Sequence, residues 1–167
     1  MTAVAGNGDP LGVRRVITGE DEAGRAIVAA DDIAQPTQSP LPEGIRSTVL
    51  WVVDDFPPDP VQGGWRSGDG GETPAWQLGA IPPTGARWTR LEIAPGATGI
   101  GMHKTATVDL LEVRAGEIWL ILDGGDEVHL VAGDCVVQRA TVHRWENRGS
   151  VPCTLNVLMI STNGDAH

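Results

Sequence analysis

The chain has 167 residues, with 12 Lys plus Arg against 22 Asp plus Glu, a formal charge of −10, a hydrophobic content of 41% and a charged content of 20%. One globular domain with its own core is expected, and a fully disordered chain is excluded. No apolar run reaches the roughly 18 residues of a membrane span, and without a basic stripe to neutralise phosphates neither nucleic acid nor an anionic membrane is an expected partner.

Residues 1–12 lack the basic and apolar regions of a leader, so a cytoplasmic location is expected. Two runs, 13–18 and 25–30, flank an acidic turn with Gly24 and predict an N-terminal hairpin; 47–53, rich in β-branched residues, predicts a third strand. Proline and glycine crowd residues 55–87, so a long surface loop is expected there. Trp65 and Trp76 sit inside that loop, which would fold back on an apolar surface or lid a ligand pocket.

From residue 86 the strand signals become dense, at 88–93, 107–113, 117–122, 127–131, 135–138, 143–147 and 153–160. The breaks between them are turn chemistry: Pro95-Gly96, Ala115-Gly116, Asp123-Gly124-Gly125-Asp126, Gly133-Asp134 and Arg148-Gly149-Ser150. Strands of five to seven residues with tight turns predict an all-β sandwich or small antiparallel barrel. Cys135 and Cys153 lack metal-site spacing and are expected as reduced, buried core thiols.

Four histidines exist, and His103 and His143 lie about forty residues apart in strand-like, polar contexts. His129 alternates against Val128 and Leu130 and is expected to face solvent; His167 is a tail residue. Lys104, the single lysine, would point away from a pocket that His103 enters. The chain has no tyrosine, no Gly-x-Ser-x-Gly elbow, no phosphate-binding loop and no dinucleotide fingerprint, so phenolate-base, acyl-transfer and nucleotide chemistry are not expected.

Two segments carry a family resemblance. In the first, His103 is followed by Thr105, Asp109 and Gly116; in the second, Gly133 is followed by His143 and Asn147. Their spacing resembles that of the cupin type-2 conserved barrel domain, over roughly residues 86–160. The resemblance implies a double-stranded β-helix, or jelly-roll, barrel at 86–160, an N-terminal strand extension and Pro/Gly loop at 1–85, a tail at 161–167, and a homodimer formed through the extra strands. Three positions depart from the family pattern: Thr105 stands where a second histidine is usual, Asp109 is shorter than the usual Glu, and Gln138-Arg139 stands where a proline is common.

What the resemblance implies for chemistry is a set of two imidazoles and one carboxylate, His103, Asp109 and His143, converging in the barrel mouth. That set suits an open divalent site for Fe, Mn, Ni or Zn, and with one imidazole missing it also suits a metal-free site. Taken singly, each of these residues is more simply a satisfied polar group. Thr105, Thr107, Gln138, Arg139 and Trp145 are the expected substrate contacts: Gln138 orienting, Arg139 for an anion, Trp145 as an apolar wall or core residue. The expected function is an enzyme acting on an oxygenated small organic substrate by proton transfer, of isomerase, dehydratase, lyase or cyclase type, with His103 and His143 as metal ligands or as base and acid. A metal-dependent dioxygenase-type oxidoreductase and a non-catalytic ligand-binding barrel are the alternatives.

Overall fold

The computed structural model describes residues 12–36, 41–53, 56–57, 81 and 83–162. Trp65, Trp76, His167 and most of the 55–87 loop lie outside the described residues. The described residues are all β, with no helix, and so none long and apolar enough to cross a membrane.

Strand β1 (Val13–Glu20) pairs antiparallel with β2 (Ala26–Ala34) across the Gly24 turn. The remaining strands are β3 (Ile45–Val53), β4 (Ala86–Ile93), β5 (Thr107–Ala115), β6 (Glu117–Leu122), β7 (Glu127–Val131), β8 (Cys135–Arg139), β9 (His143–Glu146) and β10 (Cys153–Ser161). They form a five-stranded sheet, β3-β4-β10-β5-β8, and a three-stranded sheet, β7-β6-β9. This is the all-β jelly-roll class expected from the sequence. Strand β3, from the segment assigned to the N-terminal extension, is one of the two outer strands of the larger sheet, with β8 at the other edge. The hairpin is tied to it by Arg15, whose guanidinium donates to the Leu50 carbonyl at 3.1 Å and pairs with Asp32 on β2.

Successive side chains of a strand point to opposite faces, and the inward faces of the two sheets bury a common core. Ile93, Leu111, Val113 and Leu155 of the larger sheet meet Ile118, Leu120, Leu130 and Trp145 of the smaller one. Asn147, almost fully buried, fastens the end of β9: its amide donates to the Ile93 and Val151 carbonyls, and its side-chain oxygen accepts from the Gly149 amide. Three backbone groups that would otherwise be orphaned at the sheet junction are thereby satisfied.

Only one of the two thiols is buried as the sequence predicts. Cys153 is enclosed, and burial raises its pKa to about 11. Cys135 is exposed, a correction that follows from strand alternation: Val136 pairs with the core residue Leu111, so its neighbour Cys135 takes the outer face with Glu112.

Candidate functional site

One register line crosses the whole larger sheet. Val52 pairs with Arg87, Arg87 with Met159, Met159 with Asp109 and Asp109 with Gln138. All five belong to inward-facing positions, next to the layer in which Val157 and Leu111 are apolar and the buried Thr89 hydroxyl is hydrogen-bonded to the Thr48 carbonyl. The core is thus greasy in its middle and polar at one end. The smaller sheet brings β9 against that end, where His103 and His143 exchange both backbone hydrogen bonds at 2.9 Å as an isolated antiparallel bridge.

A cavity of about 170 Å3 occupies this junction. His103, Asp109, His143, Thr105, Arg87 and Ser47 supply its polar groups, and Leu91, Ile93, Leu111, Trp145, Leu155 and Met159 much of its apolar wall. The two imidazoles touch, with ring centroids 4.5 Å apart and planes tilted by 47°. His143 also stands edge-on to Trp145 at 5.8 Å.

Both rings are pinned from behind. His103 Nδ1 lies 2.8 Å from the Gly101 carbonyl and His143 Nδ1 lies 2.9 Å from the Thr141 carbonyl. A carbonyl only accepts, so each Nδ1 carries the proton and Nε2 is the basic nitrogen left over. Gln138, 2.9 Å from His143 Nδ1, then directs its amide hydrogens to Thr141, at 2.8 Å to the carbonyl and 2.6 Å to the hydroxyl.

Burial sets the electrostatics. The His143 pKa is lowered chiefly by burial and further by His103, against an upward pull from the Thr141 carbonyl. Asp109 is 5% exposed, and burial raises its pKa against the downward pulls of the Thr107 hydroxyl, Arg87 and His103. Its Oδ1 is buried and has no hydrogen-bond partner among the described residues. The Arg87 guanidinium is also buried: desolvation lowers its pKa, the field of Asp109 raises it, and one of its amines lies 3.6 Å from the Met159 sulfur.

A pH signature follows from His143. Its folded pKa lies below the unfolded value of 6.5, so above pH 6.5 both states are neutral and the group is silent. As pH falls through that value the unfolded chain takes up the proton first, and the native state loses stability until its own lower pKa is passed. Asp109 has the opposite sign, because its raised pKa makes native stability fall as pH rises above 3.8. The difference between wild type and His143→Gln isolates the histidine: the urea midpoint of the variant is expected to decline less steeply with acidification below pH 6.5. Parallel slopes in the two proteins would show that His143 is not held neutral by its surroundings.

The structure separates the expected site residues into three groups. His103, Asp109, His143, Thr105 and Trp145 line the cavity. Thr107 and Gln138 are buried behind it: Thr107 bonds to the Thr105 hydroxyl and to Asp109, and Gln138 bonds to Thr141, whose carbonyl holds His143, so both support cavity groups. Arg139 is a correction. It is exposed and pairs with Val108 on the outer face, because its neighbour Gln138 faces inward. His129 is exposed, stacked on Trp119 at 4.0 Å and 2.7 Å from Glu117. Among the described residues no three His, Cys, Asp or Glu side chains close into a ligating group.

Arg87 is the charged cavity residue that sequence reasoning missed, and Ser47 and much of the apolar wall were not named either. The signal was present: in Ala86–Ile93 the alternation that puts Leu91 and Ile93 into the core also puts Arg87 there.

Residues 89–161 match the family model described as "Cupin domain". The chain is 40% identical over 70 residues to "Phomopsin biosynthesis cluster protein D" of Diaporthe leptostromiformis, covering 42% of this chain and 36% of that protein. It is 26% identical over 154 residues to "Cupin-domain-containing oxidoreductase fogC" of Aspergillus ruber, covering 90% of this chain and 73% of that one. The chain spans only 36% and 34% of the length of the first curated relatives it matches. Among solved structures, the polyketide cyclase RemF from Streptomyces resistomycificus superposes with a TM-score of 0.50 at 14% identity, over 76% of this chain and 73% of that one. At these identities the structural likeness concerns the fold.

Proposed function

With residues 89–161 a cupin domain, we propose that the cavity catalyses proton transfer on a small oxygenated organic substrate. The observation that carries this reading is the pair of touching imidazoles whose Nδ1 atoms are both committed to backbone carbonyls, leaving two basic Nε2 atoms in one largely apolar cavity beside a buried guanidinium.

The steps run on these side chains alone. His143, kept neutral by burial, takes a proton at Nε2 from a carbon next to a substrate carbonyl. The electron pair left behind moves onto the carbonyl oxygen, where the Arg87 cation stabilises it in a medium of low dielectric. The proton that His143 took is then delivered, from its own Nε2 or after passing to the Nε2 of the touching His103, to the neighbouring carbon or to a leaving oxygen, giving isomerisation in the first case and elimination in the second. Asp109 Oδ1, lacking a protein donor among the described residues, accepts from a substrate hydroxyl and fixes its orientation. Among the described residues no three His, Cys, Asp or Glu side chains form a group that could hold a metal ion, and the steps are written on these side chains alone.

The test works on a substrate class rather than a single compound. A panel of hydroxy- and oxo-compounds is incubated with the protein in D2O, and protein-dependent deuterium uptake at carbon is read by mass spectrometry. Uptake that disappears in His143→Ala and Arg87→Met supports the proposal; binding of a panel member without exchange favours a non-catalytic carrier. The oxidoreductase reading is favoured by the name of the fogC relative. It predicts dioxygen-dependent turnover with no exchange under anaerobic conditions, so running the panel with and without oxygen separates the two.

A further inference from the structure

Polar and apolar groups are segregated in the cavity. Arg87 and Asp109 share one register line of the larger sheet, and the inward lines beyond it carry Val157 and Leu111, then Leu91 and Leu155, then Ile45 and Ile93. Of these later lines only Ser47, in register with Leu91, adds a polar side chain to the lining. Ile100 carries the apolar wall out to the surface, at 61% exposed.

The hydrogens of the polar groups are mostly spent on the protein itself. Thr89 donates to the Thr48 carbonyl at 3.0 Å, so the hydrogen in the 3.0 Å Ser47–Thr89 contact is that of Ser47. Thr107 donates to Asp109, so the hydrogen in the 2.9 Å Thr105–Thr107 contact is that of Thr105. Both imidazole Nδ1 hydrogens go to backbone carbonyls. Among the described lining residues, the donor presented to a ligand is therefore the Arg87 guanidinium, with its five N–H groups. Three acceptors line the same cavity: Nε2 of His103, Nε2 of His143 and Asp109 Oδ1.

Resting on the proton-transfer reading of this cavity, we propose that its substrate is a neutral hydroxy-ketone on a hydrocarbon body about the size of one six-membered ring. The ketone oxygen accepts from Arg87, the hydroxyl donates to Asp109, and the body lies on the apolar lines. A sugar would set hydroxyls against Leu91, Ile93 and Leu155, each at the cost of a buried polar group without a partner. A carboxylate brings acceptors alone to a place already lined by three. The volume of about 170 Å3 sets the size, since a dry apolar cavity of roughly 150 Å3 holds benzene. Chemistry and selection are divided along the chain. His103, Asp109 and His143 lie within the family match at 89–161, whereas Leu41, Ile45, Ser47, Ile81 and Arg87, all in the cavity wall, precede it.

The test is isothermal titration calorimetry on the full chain with three matched compounds. Phenacyl alcohol carries the hydroxy-ketone on a phenyl ring, erythrulose carries it on a polyol, and phenylglyoxylate keeps the ring but has a carboxylate in place of the hydroxymethyl group. Phenacyl alcohol is expected to bind roughly tenfold to a hundredfold more tightly than erythrulose, as burial of one ring implies, and more tightly than phenylglyoxylate. Hydroxymethyl alkyl ketones of increasing length are expected to gain about fourfold per methylene until the cavity is full. Leu41→Ser, outside every strand, is expected to weaken phenacyl alcohol about tenfold with unchanged circular dichroism, and Ile45→Thr to act in the same direction. Erythrulose or phenylglyoxylate binding as tightly as phenacyl alcohol overturns the proposal, as does failure of all three to bind at millimolar concentration or indifference of phenacyl alcohol to both variants. Deuterium exchange on the same compounds separates the two readings. The expected order of binding without exchange sinks proton transfer and leaves the substrate class standing, whereas exchange on erythrulose with no preference for the ring does the reverse.

Discussion

Gly116→Ala is expected to destabilise the protein by about 3–5 kcal/mol and to lower its melting temperature by roughly 10–15 °C. Gly116 is the single residue between β5 and β6, where the chain leaves the larger sheet for the smaller one. Two separate penalties act there. Its φ of +74° lies in the left-handed region, which costs a residue with a Cβ about 1–2 kcal/mol. A Cβ would also lie 2.6 Å from the Pro152 carbonyl oxygen and 3.0 Å from Cys153 Cα. Both are backbone atoms leading into β10, with Cys153 fully buried and paired with Ile93, so they cannot step aside as a flexible side chain would. Two control glycines separate the terms. Gly133→Ala (φ +97°) meets nothing within 4 Å and incurs only the dihedral penalty; Gly124→Ala has neither a positive φ nor a neighbour within 4 Å and is expected to be near neutral. Thermal and urea unfolding of the three variants should rank 116 well below 133, and 133 below 124. A Gly116→Ala protein no less stable than Gly133→Ala would mean that the crossing has slack the structure does not show.

The residues around that crossing also show how far the sequence was legible. Strands β6 and β7 have the bounds that their runs predicted, and β5, β8, β9 and β10 differ by one or two residues at their ends. Turn glycines set those limits locally, independently of the rest of the chain. The cavity was legible in part. The spacing of His103, Asp109 and His143 brought those positions forward, and strand alternation by itself assigns Arg87 inward and Arg139 outward. What was not legible is anything depending on which strands become neighbours. The line from Arg87 through Met159 to Asp109 exists because β10 inserts between β4 and β5, and the chain is read in another order. The same holds for Cys135, whose exposure is decided by which face of β8 the sheet closes upon.

The largest functional effect is expected at His143. Removing a general base from a proton-transfer site costs typically 10²–10⁴-fold in rate, so His143→Ala is expected to lose deuterium exchange by that factor with little change in KM. Burial leaves the ring neutral and therefore competent at neutral pH, and the Thr141 carbonyl fixes which nitrogen is basic. His103 touches it, with ring centroids 4.5 Å apart, so a proton taken by one ring can pass to the other. The two rings then act as one unit. The double variant His103→Ala/His143→Ala is accordingly expected to be no slower than the worse single variant, as for residues that serve one step together. Gln138→Ala supplies the contrast. It is absent from the cavity lining and acts by holding Thr141, whose carbonyl holds the His143 ring, so it should lower kcat several-fold, leave KM alone and shift the acid limb of the pH–rate profile that His143→Ala abolishes. Independent losses that multiply in the double variant would break the pair into two unrelated histidines. Loss of exchange in His103→Ala alone would move the base across the bridge, to the ring that the Gly101 carbonyl holds.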